Sequence, residues 1–126
     1  MFITSSRLAY SYLSDKFTPD AEEFWVLALT SNKRLNAGRC LFRGTVDSCL
    51  VHPRDIFRFA CLTNASSLII AHNHPSLDPN PSLEDIRLTI QIFKAGRILQ
   101  IPVIDHLIVT EVNYKSFADE GWKPFT

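Results

Sequence analysis

The stretch SLIIAHNHPSLDPNPSLEDI, residues 67–86, decides the fold. Its apolar start is typical of a short buried strand, and a proline-rich loop leads from it to a predicted helix start. In an extended segment His72 and His74 are two residues apart, so their side chains leave the same face. Ser82 fits the N-cap of the helix and Asp85 its third position, where the positive end of the helix stabilises a carboxylate. The stretch predicts that two imidazoles and a carboxylate meet between a strand and a helix.

Those three side chains are suited to a divalent metal. Neutral imidazole is the commonest ligand for a zinc-like ion, which prefers about four ligands in a tetrahedron. His72, His74 and Asp85 would leave the fourth position for water, as in catalytic zinc sites. Taken singly, two histidines are more often solvated loop residues, and Ser82 with Asp85 is explained by a capping box. The joint pattern favours the metal.

The rest of the chain alternates strands with helices. Apolar spacing on the third helix predicts a buried face of Leu83, Ile86, Ile90 and Phe93. The predicted elements are helices at residues 6–13, 52–65, 81–99 and 113–121, and strands at 23–30, 35–46 (broken by Gly38 and Gly44), 67–71 and 102–110. This order predicts an α/β fold with a mixed sheet flanked by helices.

Composition favours one domain and excludes several classes of protein. The 126 residues include 46% hydrophobic residues, enough for one core. Thirteen basic and thirteen acidic residues cancel, so no general surface for a polyanion is indicated. The sequence still allows a local basic patch, which would consist of Arg39, Arg43, Arg54 and Arg58.

No signal peptide or membrane span is evident, because no apolar segment approaches the roughly 18 residues that cross a bilayer. Cys40, Cys49 and Cys61 form no C-x-x-C pair, so we expect neither disulfides nor a thiolate zinc site, and we expect the cysteines to fill the core. The sequence predicts a soluble, cytoplasmic protein without a membrane partner.

The motif resembles a known family. His72, His74, Ser82 and Asp85 match H-x-H-x7-S-x2-D, the signature of the JAMM (JAB, MPN+) zinc metallopeptidases. The segments FRGT, VHPRDIF and DHLIVT further resemble the bacterial RadC group, named for DNA repair. The resemblance runs from about Glu22 to the C-terminal end.

The resemblance implies a single JAB/MPN-like domain over residues 1–126. Its fold would be a three-layer, cytidine-deaminase-like arrangement of a mixed sheet and helices, with residues 1–21 as a helix and lead-in and residues 71–86 as the metal segment. RadC proteins usually add an N-terminal helix-hairpin-helix region, for which this chain has no room. It is either a short relative or a C-terminal domain alone.

The resemblance also implies a site and a reaction. One Zn²⁺ per chain would be held by His72, His74 and Asp85, and a glutamate would deprotonate a water that attacks a peptide or isopeptide amide. Counting back from Phe24 selects Glu22, while a one-residue slip in register would select Glu23 instead. Ser82 would help to hold the oxyanion.

Four further residues lead to structural expectations. Leu77 stands where RadC loops have glycine, so a positive φ there would be strained. Asp105 and His106 match a DH pair of the family, and we expect them to be structural or to support the ligands from a strand far from the ligand pattern. His52 should pack near a helix start or cap it.

The sequence argues against two other enzyme classes and leaves one alternative function. The tripeptide HNH does not match the dispersed motif of HNH nucleases, and the H-x-E and P-C-x-x-C motifs of zinc deaminases are absent from the sequence. The main alternative is a DNA-repair-associated or protein-interaction module whose metal is structural or idle. DNA is a candidate partner through the RadC resemblance alone, without support from net charge, and the sheet edges would allow a homodimer. The protein or peptide substrate is not identified by any residue.

Overall fold

A computed structural model describes residues 1–44 and 51–122. These described residues form three helices and five strands. In chain order they are α1 (Ser6–Leu13), β1 (Glu22–Leu29), β2 (Leu35–Gly44), α2 (Pro53–Leu62), β3 (Ser67–Asn73), α3 (Leu83–Leu99), β4 (Val103–Val109) and β5 (Tyr114–Ser116).

The five strands form one mixed sheet in the order β2-β1-β3-β4-β5. β3 and β4 run parallel and are connected through α3, whereas the other neighbouring strands are antiparallel. Parallel neighbours need a long crossover, which a helix supplies. The central strand β3 is buried along its whole length, as its apolar run predicts.

Each face of the sheet is covered by helix. On one face α1 buries Ala9 and Leu13 against Leu27 and Ile69. On the other face α2 and α3 pack on the sheet, and the core there consists of Phe24, Val26, Ala28, Ile56, Phe57, Phe59, Ala60, Leu68, Ile70, Ile92 and Val103. The predicted α/β fold with three layers is therefore confirmed.

The helix starts follow the capping residues in the sequence. Ser5 accepts a hydrogen bond from the N–H of Leu8 at the start of α1, and Pro53 opens α2, where its missing N–H costs nothing. His52 occupies the N-cap position of α2, but its side chain makes no capping hydrogen bond and is exposed. The expectation that His52 caps the helix start is confirmed through its backbone carbonyl, which accepts the N–H of Asp55, and not through its side chain.

The predicted break in β2 at Gly38 was also wrong. Gly38 pairs with Leu27 inside a continuous strand. A side chain there would come within 2.7 Å of the Tyr12 hydroxyl, so the glycine admits α1 to the sheet and does not end the strand. β2 extends to Gly44, and the predicted end at Val46 lies outside the described residues.

The buried face of α3 differs from the prediction. Thr89, Ile92 and Gly96 are buried, whereas Leu83 and Ile90 are exposed. Relative to the predicted orientation, α3 is rotated about its axis, because its inward face begins with Asp85, which faces the histidines. Apolar spacing alone could not reveal that a carboxylate and a threonine occupy the inner stripe.

Two smaller expectations were wrong. Residues 113–121 do not close the chain as a helix, since Tyr114–Ser116 pairs with β4 as an edge strand and turns follow it. The cysteines are not core residues where the structure describes them: Cys61 is exposed and Cys40 half-buried, and Cys49 lies outside the described residues.

Within residues 1–44 and 51–122, no helix combines the length and the apolar character that crossing a membrane requires.

Candidate metal centre

β3 delivers both histidines to one end of the sheet. His72 lies in β3 opposite Phe24 of β1, and His74 follows the strand, its N–H donating to the carbonyl of Val109. The alternation of side chains turns both imidazoles to the α3 side of the sheet. Their Nε2 atoms are 3.0 Å apart. Asn73 points the other way and anchors β1, where its side-chain oxygen accepts the N–H of Glu23.

α3 supplies the third ligand through its first turn. Ser82 is the N-cap, with its hydroxyl oxygen accepting the N–H of Asp85, while Asp85 Oδ2 accepts the N–H of Ser82. The predicted capping box is thus confirmed. The same carboxylate places Oδ1 3.1 Å from His72 Nε2 and Oδ2 3.0 Å from His74 Nε2.

The donor set fits a divalent ion of the zinc type. The atoms of His72, His74 and Asp85 lie pairwise 3.0 to 3.1 Å apart. Ligands on a tetrahedral zinc with bonds of about 2.0–2.1 Å are about 3.3 Å apart, so only a small widening is needed. Two nitrogens and a carboxylate form the open set of three protein ligands found in catalytic sites.

The loop between β3 and α3 orients His74. Its Nδ1 is 3.0 Å from the carbonyl oxygen of Asp78, which can only accept a hydrogen bond. Nδ1 therefore carries a proton in either charge state. In the neutral ring, the form that binds a metal, the lone pair of Nε2 faces the site, whereas in the protonated ring Nε2–H faces Asp85. A carbonyl behind a ligand histidine is a common arrangement in metal sites.

Leu77 in this loop is not strained. The positive φ angles of non-glycine residues in the described chain belong to Lys33, Asn64 and Gln100. Leu77 therefore does not occupy the left-handed region, and its side chain is largely exposed. The strain expected if leucine replaced a glycine of positive φ does not occur.

The carboxylate is held as an anion. Burial by itself would raise the pKa of Asp85, but hydrogen bonds from His72 and His74 hold that pKa well below its usual range. Burial by itself would lower the pKa of His74, yet Asp85 and the Asp78 carbonyl raise it above the ordinary value of 6.5. The site is thus an anion and two imidazoles that stabilise one another.

The two neighbouring glutamates at the start of β1 face opposite sides. Glu22 lines the cleft with the histidines, and burial raises the pKa of its carboxyl above the usual value, with His72 and His74 opposing the rise. Within the described chain no hydrogen bond engages its carboxylate. Glu23 lies on the other face, where it accepts hydrogen bonds from the indole of Trp25 and from the Arg43 guanidinium. Of the two, only Glu22 is placed near the ligands.

These residues share one cleft of about 780 Å³, a volume within the range of ligand-binding pockets. His72, His74 and Asp85 lie in it together with Glu22 and Ser82. The remaining walls are Phe24, Pro75, Ser76, Glu84, Arg87, Leu88 and Gln91. The three predicted ligands, Ser82 and the favoured glutamate, Glu22, thus lie in a single cleft, and the alternative Glu23 does not line it.

His106 is closer to the site than the sequence indicated. β4 lies beside β3 in parallel, with His106 opposite Ile70, and the centres of the His106 and His72 rings are 4.9 Å apart. His106 Nε2 is 2.8 Å from His72 Nδ1, and His106 Nδ1 is 2.5 Å from the Thr89 hydroxyl. The expectation that His106 supports the ligands is confirmed, but its strand lies beside β3 and not far from the ligand pattern. Thr89 was missed, because its contact with His106 depends on how α3 packs against β4, which the sequence pattern does not reveal.

The arginines of the expected basic patch are partly engaged. Arg43 pairs with Asp20 and Glu23, and the guanidinium of Arg39 lies over the Phe59 ring. The two carboxylates beside Arg43 reduce the positive charge that this residue would offer to a polyanion.

The fold and the site define a class: a three-layer α/β domain of the JAB type, in which a strand, a loop and a helix start gather two histidines and an aspartate. Residues 3–122 match the family model described as the RadC-like JAB domain. The chain belongs to the RadC-like JAB domain family.

Relatives support this membership. The chain is 45% identical over 118 residues to a UPF0758 protein of Thermosynechococcus vestitus, covering 93% of this chain and 47% of the relative. It is 40% identical over 119 residues to a UPF0758 protein of Thermotoga maritima, covering 94% and 54%. It is 37% identical over 120 residues to one of Symbiobacterium thermophilum, covering 94% and 51%. The chain spans about half the length of the curated relatives it matches.

Proposed function

We propose that this domain is a hydrolase of peptide or isopeptide amide bonds, with one Zn²⁺ per chain held by His72, His74 and Asp85. The observation that carries the proposal is that these three ligands and the unengaged carboxylate of Glu22 converge in one cleft. When bound, zinc would supply a Lewis acid that polarises a carbonyl and activates water. A purely structural metal would need neither the cleft nor Glu22.

Glu22 is assigned the proton transfers. A general base works best when its pKa approaches the working pH, and burial raises the pKa of this carboxyl toward that range. Its oxygens make no hydrogen bond within the described chain, so they can accept the proton of an attacking water. The same carboxyl can then pass that proton to the leaving nitrogen.

Ser82 is assigned to the oxyanion. In the capping box its oxygen accepts the N–H of Asp85, and its own hydroxyl proton has no acceptor among the described residues. A donor at the cleft wall can stabilise charge that develops on the carbonyl oxygen. Ser82 would therefore act both as a helix cap and as a hydrogen-bond donor to the reacting group.

The experiment compares two neighbouring carboxylates. Zinc-loaded wild-type protein, Glu22→Gln and Glu23→Gln are incubated with a mixture of linear peptides and Lys-linked isopeptides, and new termini are counted by mass spectrometry. We expect cleavage by the wild type and a loss of about 10²–10⁴-fold in Glu22→Gln. Zinc content should be unchanged in that variant, because Glu22 is not a ligand.

Glu23→Gln is the matched control, since it changes the same charge on the opposite face of β1 and should retain cleavage. Equal cleavage by Glu22→Gln and wild type would contradict the assignment of Glu22. Full zinc loading without cleavage of any peptide would instead favour an interaction module with an idle site.

A further inference from the structure

We infer that His106 and Thr89 are positioning residues of the metal centre, because a chain of hydrogen bonds through them sets which nitrogen of His72 faces the cation. This inference rests on the proposed metal centre, and it concerns ion binding and not the reaction. The chain runs from His72 Nδ1 to His106 Nε2 at 2.8 Å and from His106 Nδ1 to Thr89 Oγ1 at 2.5 Å. It ends where Thr89 Oγ1 donates to the carbonyl oxygen of Asp85 at 2.6 Å.

The position of each proton follows from the last acceptor in this series of hydrogen bonds, the carbonyl oxygen of Asp85. A carbonyl oxygen can only accept, so the single hydroxyl proton of Thr89 goes to Asp85. Thr89 Oγ1 can then offer only a lone pair to His106 Nδ1, which must carry a proton. A neutral imidazole has one N–H, which leaves His106 Nε2 as an acceptor. His72 Nδ1 therefore donates, and His72 Nε2 keeps the lone pair that a metal requires.

The surroundings keep His106 neutral. Its side chain is fully buried, and the ring of Phe117 stacks on it at 4.7 Å. Among the described residues its ring nitrogens contact His72 and Thr89, neither of which is an anion that could balance a second proton. A second proton on Nε2 would turn the acceptor into a donor and break the bond with His72.

The chain of hydrogen bonds closes a ring around the site. It begins at His72, whose Nε2 is 3.1 Å from the Asp85 carboxylate, and it ends at the backbone carbonyl of the same Asp85. The two ligands are thus tied together both through the ion they would share and through β4. His74 needs no such chain, because the Asp78 carbonyl orients it directly.

Removing the Thr89 hydroxyl should disturb ion binding from a distance. In Thr89→Val the Nδ1–H of His106 has no acceptor in a dry site, so the opposite tautomer, with the proton on Nε2, becomes favoured. That tautomer makes His72 Nδ1 an acceptor and puts a proton on His72 Nε2, where the metal should bind. Zinc can then bind only if His72 and His106 both return to their wild-type tautomers, which costs free energy of binding.

The test measures zinc affinity on the full chain by competition with a chromophoric chelator. We expect affinity to fall about 10–100-fold in Thr89→Val, as is typical when a partner behind a ligand is lost. Thr89→Ser keeps the hydroxyl and should bind zinc like the wild type. A merely structural Thr89 would lower the melting temperature without changing the zinc affinity of the folded protein.

A second measurement needs no variant. Long-range ¹H–¹⁵N NMR of the zinc-loaded wild type at about pH 8, well above the ordinary histidine pKa, reports the tautomers directly. The expected result is His106 protonated on Nδ1. A proton on His106 Nε2, or a folded Thr89→Val variant that binds zinc as tightly as the wild type, would overturn the inference. Failure to cleave amides with these results intact would count against the proposed function alone.

Discussion

The two sides of the metal centre are built differently. On the sheet side, His72 is held by the buried ring of His106, and its own side chain is 4% exposed. On the loop side, His74 is held by a backbone carbonyl of the loop, and its side chain is 17% exposed. Asp85 bridges the two sides with one carboxylate oxygen toward each histidine.

The sheet side therefore supports the ligands, and the loop side borders the cleft through which a substrate would reach them. The sheet side is held by strand pairing and by core packing. The same contacts that position its ligands therefore also stabilise the fold. The loop side consists of residues 74–82, of which only the first continues strand pairing, and it borders the open part of the cleft. Changes on the sheet side should therefore affect stability and ion binding together, and changes on the loop side should affect ion binding and turnover with less effect on stability.

The largest expected effect distinguishes the two histidines in the metal-free protein. His72→Ala leaves a cavity in the core and removes the donor to His106, which should cost about 3 kcal/mol in the free energy of unfolding. His74→Ala removes a half-buried ring, its hydrogen bond to the loop and its contact with Asp85, and should cost about 1–2 kcal/mol. Urea unfolding measures both.

His52→Ala is the matched control, since His52 is exposed and its side chain makes no capping bond, and it should leave stability unchanged. Equal losses for His72→Ala and His74→Ala would remove the distinction between the two sides.

The next effect lies at the helix start on the loop side. Ser82→Ala loses the capping hydrogen bond, which should cost about 1 kcal/mol of stability, and it loses the hydroxyl donor, which should lower turnover on the order of 10²-fold. Ser82→Gly should recover most of the stability, because glycine is a tolerated N-cap, but none of the turnover. Recovery of turnover in the glycine variant would show that the hydroxyl acts only as a cap.

The smallest effect concerns Asp105, which supports His106 from the sheet side. Burial raises the pKa of this carboxyl above 3.8, although Ser116 and two backbone N–H groups donate to it. The native state then binds the proton more tightly than the unfolded chain. The stability that this group contributes is greatest below pH 3.8 and falls as the pH rises through the native pKa.

Asp105→Asn removes this titration. The difference in unfolding free energy between the wild type and Asp105→Asn should therefore decline as the pH rises from about 4 and then level off. Denaturant unfolding over a pH series measures it, and a difference that grows with pH would contradict the assigned direction.

The sequence predicted the local features well. The helix at Ser6–Leu13 agrees with its predicted bounds, and the capping box at Ser82 and Asp85 formed as expected. Both depend on residues at most four apart, where short-range hydrogen bonding decides the outcome. The H-x-H spacing likewise determined that both imidazoles share a face.

Features that depend on distant pairing were not predicted. The contact between His72 and His106 spans 34 residues and requires the parallel register of β3 and β4. The segment around Tyr114 became an edge strand because β4 was there to pair with it. The inner face of α3 was rotated because Asp85 and Thr89 are held by polar partners at the site, which hydrophobic spacing cannot reveal.

The most direct test of the central claim is the zinc content of the purified protein, measured by elemental analysis after dialysis against zinc. We expect about one zinc per chain in the wild type and in His52→Ala, and none in His74→Ala. Wild-type protein that binds no zinc at any concentration tested, or His74→Ala that binds as much as the wild type, would contradict the account.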